Sequence, residues 1–166
     1  MPKSPDQKRR EKIEEAVVRL LTRQKRTLAL AESCTGGLIA NQITNVPGAS
    51  KVFLGGIVAY SNEAKKKFLG VRSGTLQKFG AVSEGVAREM AMGARKKFGA
   101  DFAIAVTGIA GPDGATKGKP VGTVFIAVAN KFETVVERRL NGFGREKFKA
   151  ATARQALEML LEIIKR

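Results

Sequence analysis

Several stretches of the chain repeat apolar residues every three or four positions, the spacing that places them on one face of a helix. A first helix is expected to be capped by Asp6 and to end near Gln24. Further helices are expected over residues 38–44, in a short segment capped by Asn62, in a longer segment opened by Ser83, and from Arg145 onward. These helices supply the outer layers of a compact fold.

Short, strongly apolar runs lie between these helices and are typical of buried strands. They cover residues 27–31, 53–60, 102–106, 121–129 and 132–140. The last two runs are joined through Asn130-Lys131, which predicts a tight antiparallel hairpin. Because the other strands alternate with helices, we expect one α/β domain over residues 1–166, with three layers and a mixed, mostly parallel central sheet. Residues 1–10 are expected to be a mobile basic start of this domain.

Composition restricts the chemistry. The chain has no histidine and a single cysteine, Cys34, which excludes histidine-dependent serine or cysteine catalysis, multi-cysteine zinc sites and an internal disulfide. A serine nucleophile would therefore need another base, and a desolvated lysine is the natural candidate. We expect neither a metal nor a cofactor.

The charge balance is strongly basic, with 30 Lys and Arg against 15 Asp and Glu and a formal net charge of +15. This excess favours anionic partners, such as nucleic acid or phosphorylated metabolites, although a solvated surface alone would also account for it. No apolar run reaches the ~20 residues that span a bilayer, and the basic N-terminal residues do not resemble a signal peptide. We expect a cytoplasmic protein with no membrane partner.

Two loops rich in small residues follow predicted strands and could bind a ligand. In the first, Ser33 to Gly37, a helix start after Gly36 could hold a phosphate, or Thr35 could simply cap a tight turn. Cys34 in this loop is more simply a buried small hydrophobic residue. The second loop spans Gly108 to Gly114, but the residues that follow lack the spacing of a P-loop, which argues against nucleoside triphosphate hydrolysis.

Five segments, in order, resemble the CinA C-terminal domain family. They are AESCTGGLIA at 31–40, PGASKVFLGGIVAYSNEAK at 47–65, GAVSE at 80–84, VTGIAGPDG at 106–114 and KPVGTV at 119–124. Characterised members of that family are nicotinamide-nucleotide amidohydrolases. The resemblance implies that the chain hydrolyses the carboxamide of nicotinamide mononucleotide to nicotinic acid mononucleotide and ammonia, in pyridine nucleotide recycling.

The resemblance also implies the residues of the site. It implies Ser50 as the nucleophile, with Lys65 taking its proton directly or through the hydroxyl of Tyr60, whereas the local sequence alone favours a solvated helix face for Lys65. Substrate contacts are expected from Ser33, Cys34, Thr35, Gly36, Thr107, Gly108 and Arg145.

The resemblance further implies self-association into a homo-oligomer. From the charge, we expect at most non-specific contact to nucleic acid. Two alternatives stay open, a basic nucleic-acid-binding protein and a catalytically idle scaffold of the same family.

Overall fold

The computed structural model of the chain describes residues 11–142 and 144–166, so the Asp6 cap and the mobile basic start lie outside the described residues. The helices are α1 (Ile13–Gln24), α2 (Leu38–Thr44), α3 (Asn62–Leu69), α4 (Ser73–Phe79), α5 (Glu84–Phe98) and α6 (Arg145–Ile164). The strands are β1 (Leu28–Glu32), β2 (Phe53–Val58), β3 (Phe102–Gly108), β4 (Thr123–Ala129) and β5 (Thr134–Leu140). A short 3₁₀ turn, Ala49–Lys51, precedes β2.

The strands form one sheet in the order β2-β1-β3-β4-β5. Strand β1 is parallel to both of its neighbours, whereas β4 is antiparallel to β3 and to β5. Only β4 therefore runs against the other four strands. The predicted single α/β domain with a mixed, mostly parallel sheet is confirmed, and its parallel strands β1, β2 and β3 all end at one edge of the sheet.

Helices cover both faces of the sheet, and the alternation of large and small residues in the strands decides which helices lie on which face. Leu28 and Leu30 face the layer formed by α1, α2 and α6, where the larger apolar side chains collect. Ala29 and Ala31 face the layer formed by α3, α4 and α5. The small alanine side chains let α5 lie close to the sheet.

A glycine in α5 permits a second close approach. An added Cβ at Gly93 would lie 1.8 Å from the carbonyl oxygen of Leu69, the last residue of α3. The end of α3 therefore rests directly on α5, which fixes the position of the helix that carries Lys65.

Four details differ from the sequence predictions. Helix α4 was not predicted, and α3 is capped by Ser61, whose Oγ accepts the N–H of Ala64 at 3.1 Å, rather than by Asn62. Strands β2, β4 and β5 are each two residues shorter than predicted, whereas β3 is two residues longer. The hairpin turn also has four residues rather than two, because the Asn130 side chain accepts the N–H groups of Phe132 and Glu133 and folds them into the turn.

Candidate active site

The edge at which β1, β2 and β3 end carries a cleft of about 310 Å³. Ser33 follows β1, Tyr60 follows β2, and Thr107 lies at the end of β3. Other walls come from the loop before α5, the glycine-rich loop after β3 and the start of α6. The lining residues are Ser33, Cys34, Tyr60, Asn62, Lys65, Ala81, Val82, Thr107, Gly108, Ile109, Ala110, Gly111, Asp113, Gly114 and Arg145.

Lys65 lies at the floor of this cleft with 2% of its surface exposed. Its Nζ donates to Ser33 Oγ at 3.0 Å and to the backbone carbonyls of Ala59 at 3.1 Å and Tyr60 at 3.3 Å. Its neighbour Lys66 instead pairs with Glu63 at the surface. The interpretation of Lys65 as a solvated lysine is therefore wrong.

Burial changes the proton affinity of this amine. Removal from water penalises the charged form and lowers the pKa of Lys65 below its ordinary value. The carbonyls of Ala59 and Tyr60 can only accept hydrogen bonds, so they hold two N–H bonds of the amine. The remaining position of Nζ faces Ser33 Oγ, so Lys65 in its neutral form would present its lone pair to the serine hydroxyl.

Ser50 lies elsewhere. It is exposed in the 3₁₀ turn before β2, whereas Lys65 comes after β2. A six-residue strand spans ~20 Å, which places the two residues at opposite ends of the sheet. The predicted pairing of Ser50 with Lys65 is wrong, and Ser33 is the serine that contacts the lysine.

The N–H groups at the start of α2, after Gly36, already bind a side chain of the same protein. The carboxylate of Glu32 accepts hydrogen bonds from Thr35 Oγ1 at 2.6 Å and from the N–H groups of Gly37 at 3.0 Å, Ile39 at 3.1 Å and Ala40 at 2.8 Å. The predicted phosphate site at this helix start is therefore wrong, because a buried carboxylate already occupies it. Thr35 does not cap α2 either, since its hydroxyl donates to Glu32 and Gly37 is the N-cap residue. Thr35 and Gly36 are not among the residues that line the cleft.

Cys34 lines the cleft but has no nucleophilic character. Its side chain is buried, and burial raises the pKa of the thiol to about 12. The thiol thus stays protonated near neutral pH and packs as a small apolar group. Its contact with substrate stays a prediction.

Thr107 and Gly108 shape the far wall. The Thr107 hydroxyl donates to the carbonyl of Ala81 at 2.9 Å and holds the loop before α5 against the cleft. An added Cβ at Gly108 would lie 2.9 Å from both Phe148 Cζ and the carbonyl oxygen of Thr123, so glycine is needed for α6 to approach the sheet. The predicted substrate contacts of Thr107 and Gly108 stay predictions.

Arg145, the first residue of α6, joins two sides of the cleft mouth. Its Nη2 donates to the Tyr60 hydroxyl at 2.7 Å and its Nη1 donates to the carbonyl of Gly111 at 2.7 Å. The Tyr60 side chain is 61% exposed and meets Lys65 only through its backbone carbonyl. The expected proton relay through the Tyr60 hydroxyl therefore has no contact to support it.

A larger depression of about 610 Å³ lies between α1 and α6, away from these residues. Its charged side chains largely pair with one another, as Arg19 does with Glu11 and Arg154 with Glu158. It offers no buried nucleophile and base, so the smaller cleft is the candidate site.

Within residues 11–142 and 144–166, no group of three metal-ligating side chains lies close enough together to hold a metal ion. None of the helices in that part of the chain could cross a membrane.

Comparison with known proteins identifies the domain. The model of the CinA C-terminal domain family matches residues 10–164. The chain belongs to this family. The CinA-like protein of Thermotoga neapolitana is 52% identical over 155 residues, which cover 93% of this chain and 38% of that protein. The putative competence-damage inducible protein of Thermoanaerobacter sp. is 51% identical over 150 residues, covering 90% of this chain and 36% of that protein. The chain thus spans just over a third of the length of these curated relatives.

Solved structures of CinA proteins share the fold. The competence/damage inducible protein CihA from Agrobacterium tumefaciens is 43% identical, with a TM-score of 0.87, and the match covers 93% of this chain and 96% of that one. The competence damage-inducible protein A from Klebsiella pneumoniae is 37% identical, with a TM-score of 0.90 and the same coverage.

Some residues of this CinA domain site were not predicted. Glu32 had one available signal, a carboxylate at the end of an otherwise apolar, buried strand, where burial requires hydrogen-bond partners. Ala59 had none, because it acts through its backbone carbonyl. Ala81 and Val82 line the cleft from a loop that the Thr107 hydroxyl binds through the carbonyl of Ala81, a contact between distant segments.

Proposed function

We propose that the protein is a serine amidohydrolase that converts nicotinamide mononucleotide to nicotinic acid mononucleotide and ammonia, with Ser33 as the nucleophile and Lys65 as its base. One observation carries the proposal, the 3.0 Å hydrogen bond between Ser33 Oγ and the buried Nζ of Lys65. A hydroxyl beside a desolvated amine is the arrangement that activates serine in the absence of histidine.

In the first step, neutral Lys65 takes the proton of the Ser33 hydroxyl as Oγ attacks the carboxamide carbon. The carbonyl oxygen becomes an oxyanion and needs a hydrogen-bond donor. The N–H of Cys34, directly after the nucleophile, has no backbone acceptor among residues 11–142 and 144–166 and is the proposed donor.

In the second step, the C–N bond breaks. The ammonium of Lys65 returns its proton to the departing nitrogen, which leaves as ammonia, and an ester remains on Ser33. Water then attacks that ester with Lys65 again as the base, which releases the carboxylic acid and restores the serine hydroxyl.

The choice of substrate rests on the family resemblance and on the cleft. A volume of about 310 Å³ lies at the lower end of the range for small-molecule sites. The walls combine apolar groups such as Ile109 and Ala110 with the cation Arg145, which suits a planar ring that carries an anionic tail. A homo-oligomeric state, a cytoplasmic location and purely non-specific contact with nucleic acid remain predictions.

The test is ammonia release from nicotinamide mononucleotide by the native protein and by Ser33→Ala, Lys65→Met and Ser50→Ala. Loss of about 10³-fold or more is expected for the first two variants, since each removes one half of a pair that acts as a unit. Ser50→Ala is the matched control and is expected to keep native activity. Native activity in Ser33→Ala would remove the proposed nucleophile, and a native protein without turnover would remove the proposed function.

A further inference from the structure

The edge of the sheet opposite the cleft brings several chain segments together. Strands β1, β2 and β3 begin there, and the hairpin between β4 and β5 turns there, because Ala129 pairs with both Ala103 and Thr134. Helices α1 and α5 end just before β1 and β3. Helix α6 ends beside α1, where the Gln24 side chain donates to the carbonyl of Ile164 at 3.2 Å. One face of the molecule therefore combines three helix ends, the 3₁₀ turn before β2 and the hairpin turn.

This face is rich in lysine. Its exposed lysine side chains define what we call the basic edge, and they are Lys25, Lys51, Lys96, Lys97, Lys131 and Lys165. None of them forms an ion pair with another residue in the ranges 11–142 and 144–166. The repulsion among these lysines is therefore not offset by ion pairs within the described chain.

Acidic side chains do little to neutralise the basic edge. Asp101, Glu133 and Glu162 lie near it. The carboxylate of Asp101 already accepts the N–H of Thr27 at 2.9 Å and the Thr27 hydroxyl at 3.0 Å. All three acidic residues are exposed, so solvent and salt screen their attraction for the lysines. The electrostatic potential of this face is therefore positive.

Helix dipoles explain only part of this charge. Cations are favourable near the C-terminal end of a helix, which accounts for Lys96 and Lys97 in the last turn of α5. Lys51, in contrast, belongs to a three-residue 3₁₀ turn, and Lys131 lies in the hairpin turn. These two lysines extend the positive charge across the sheet edge, beyond the ends of the long helices.

The composition of the basic edge favours nucleic acid over other anionic partners. Interfaces between proteins are depleted in lysine, whereas interfaces with DNA are strongly positive. Phe132 is the only exposed aromatic residue at this edge within the described chain, so the edge lacks the apolar face that inserts into a membrane. It also lacks the series of aromatic rings on which single-stranded bases stack. A broad lysine face instead matches the closely spaced phosphates of a duplex.

We propose that the basic edge binds the phosphate backbone of double-stranded nucleic acid without reading its base sequence. Strand β3 has seven residues and spans ~20 Å between the basic edge and the cleft. A duplex held at the basic edge therefore leaves the cleft free, and its binding is independent of the proposed function.

The test measures the fluorescence anisotropy of a labelled DNA duplex of about 20 base pairs and arbitrary sequence, over about 50 to 200 mM KCl. The edge variant combines Lys51→Gln, Lys96→Gln and Lys97→Gln. Each phosphate contact contributes about 0.9 to the slope of log K against log salt concentration. We therefore expect the edge variant to have a slope that is shallower by about 2–3, and an affinity about tenfold or more weaker at the lowest salt concentration.

The matched control combines Lys78→Gln, Lys117→Gln and Lys147→Gln. It removes the same charge from exposed side chains in α4, in the loop after β3 and in the first turn of α6, on the cleft side of the molecule. We expect it to change duplex affinity by less than about threefold. Urea denaturation is expected to show native stability for both variants, because the substituted side chains are exposed and form no ion pair within the described residues.

Three results would each overturn the proposal, namely equal weakening in the two variants, an unchanged salt dependence in the edge variant, or no duplex binding by the native protein at about 50 mM KCl. Sedimentation with phosphatidylserine vesicles tests the other anionic partner. Capture by these vesicles without duplex binding would assign the basic edge to a membrane surface and would also overturn the proposal.

Discussion

The carboxylate of Glu32 lies 2.6 Å from the hydroxyl of Thr35 and closes the N-terminal end of α2. The same residue also supports the hydrogen-bonded pair Ser33 and Lys65 through its backbone. Its carbonyl accepts the N–H of Ala59 at 2.9 Å, and the carbonyl of Ala59 in turn accepts Lys65 Nζ. Glu32 also directly precedes Ser33. One buried residue therefore holds both the nucleophile loop and the lysine.

Glu32→Gln is expected to destabilise the fold and to slow the reaction. The amide keeps the size of the side chain, but its NH₂ group would face N–H and O–H donors that now bind a carboxylate. We expect a loss of about 2–4 kcal/mol in the free energy of unfolding, measured by urea denaturation. The control is Glu63→Gln, which changes an exposed carboxylate in α3 and is expected to cost less than about 0.5 kcal/mol. Equal stability of the two variants would contradict the assigned role of Glu32.

The reaction is expected to slow on acidification. Lys65 acts as a base only when neutral, and burial lowers its pKa, so kcat/KM rises with pH through that pKa and then reaches a plateau. The measurement is ammonia release over a range of pH. Lys65→Arg is expected to be inactive at every pH, because guanidinium does not lose its proton, while the neighbouring Lys66→Arg keeps the native profile. A rate that increases as the pH falls would exclude Lys65 as the base.

Stability is expected to follow the same group. The pKa of Lys65 lies below 10.5 in the folded state, so between that lowered pKa and 10.5 the unfolded chain binds more protons. The folded state therefore gains stability as the pH rises through this window, and the gain is complete above it. Urea denaturation of the native protein and of Lys65→Met at several pH values isolates this effect by difference. The native protein is expected to gain relative to the variant as pH rises, and the opposite trend would refute burial of the ammonium.

Gly93→Ala is expected to separate α3 from α5. The new methyl group would lie 1.8 Å from the carbonyl oxygen of Leu69. This clash can be relieved only by moving α3 or α5, because both contacting segments belong to helices. We expect a loss of about 3 kcal/mol or more in unfolding free energy, accompanied by reduced activity because α3 carries Lys65. Gly74→Ala is the matched control. Nothing lies within 4 Å of a Cβ at Gly74 in α4, so that variant is expected to be more stable by about 0.4–1 kcal/mol.

Periodicity predicted most of the fold because most elements bury one regular face. Strand β1 alternates leucine with alanine, and α5 and α6 repeat apolar residues at helical spacing. Helix α4 escaped prediction because Thr75 is its only buried residue, so it has no apolar stripe. It is held instead by Glu89 of α5, which accepts the N–H of Arg72 and the hydroxyl of Thr75. Such a contact between distant segments leaves no mark on local spacing.

The site was only partly predictable for a related reason. Sequence resemblance brings Lys65 and two serines, Ser33 and Ser50, into consideration, but the partner of the lysine depends on which strand ends lie together. In this sheet the ends of β1 and β2 are neighbours, so Ser33 and Lys65 meet, while Ser50 precedes β2 and lies at the other end. The preference of ligands for the carboxyl ends of parallel strands favours Ser33 on topology alone.

The contact between Ser33 and Lys65 also joins the two helical layers. Ser33 leads into α2, which packs with α1 and α6, whereas Lys65 belongs to α3, which packs on α5 across the sheet. A small shift of either helical layer relative to the sheet would lengthen the hydrogen bond between Ser33 Oγ and Lys65 Nζ, and a hydrogen bond weakens as it lengthens. Under the proposed mechanism, mutations that loosen either hydrophobic core far from the cleft are therefore expected to lower the catalytic rate before they unfold the helical layer.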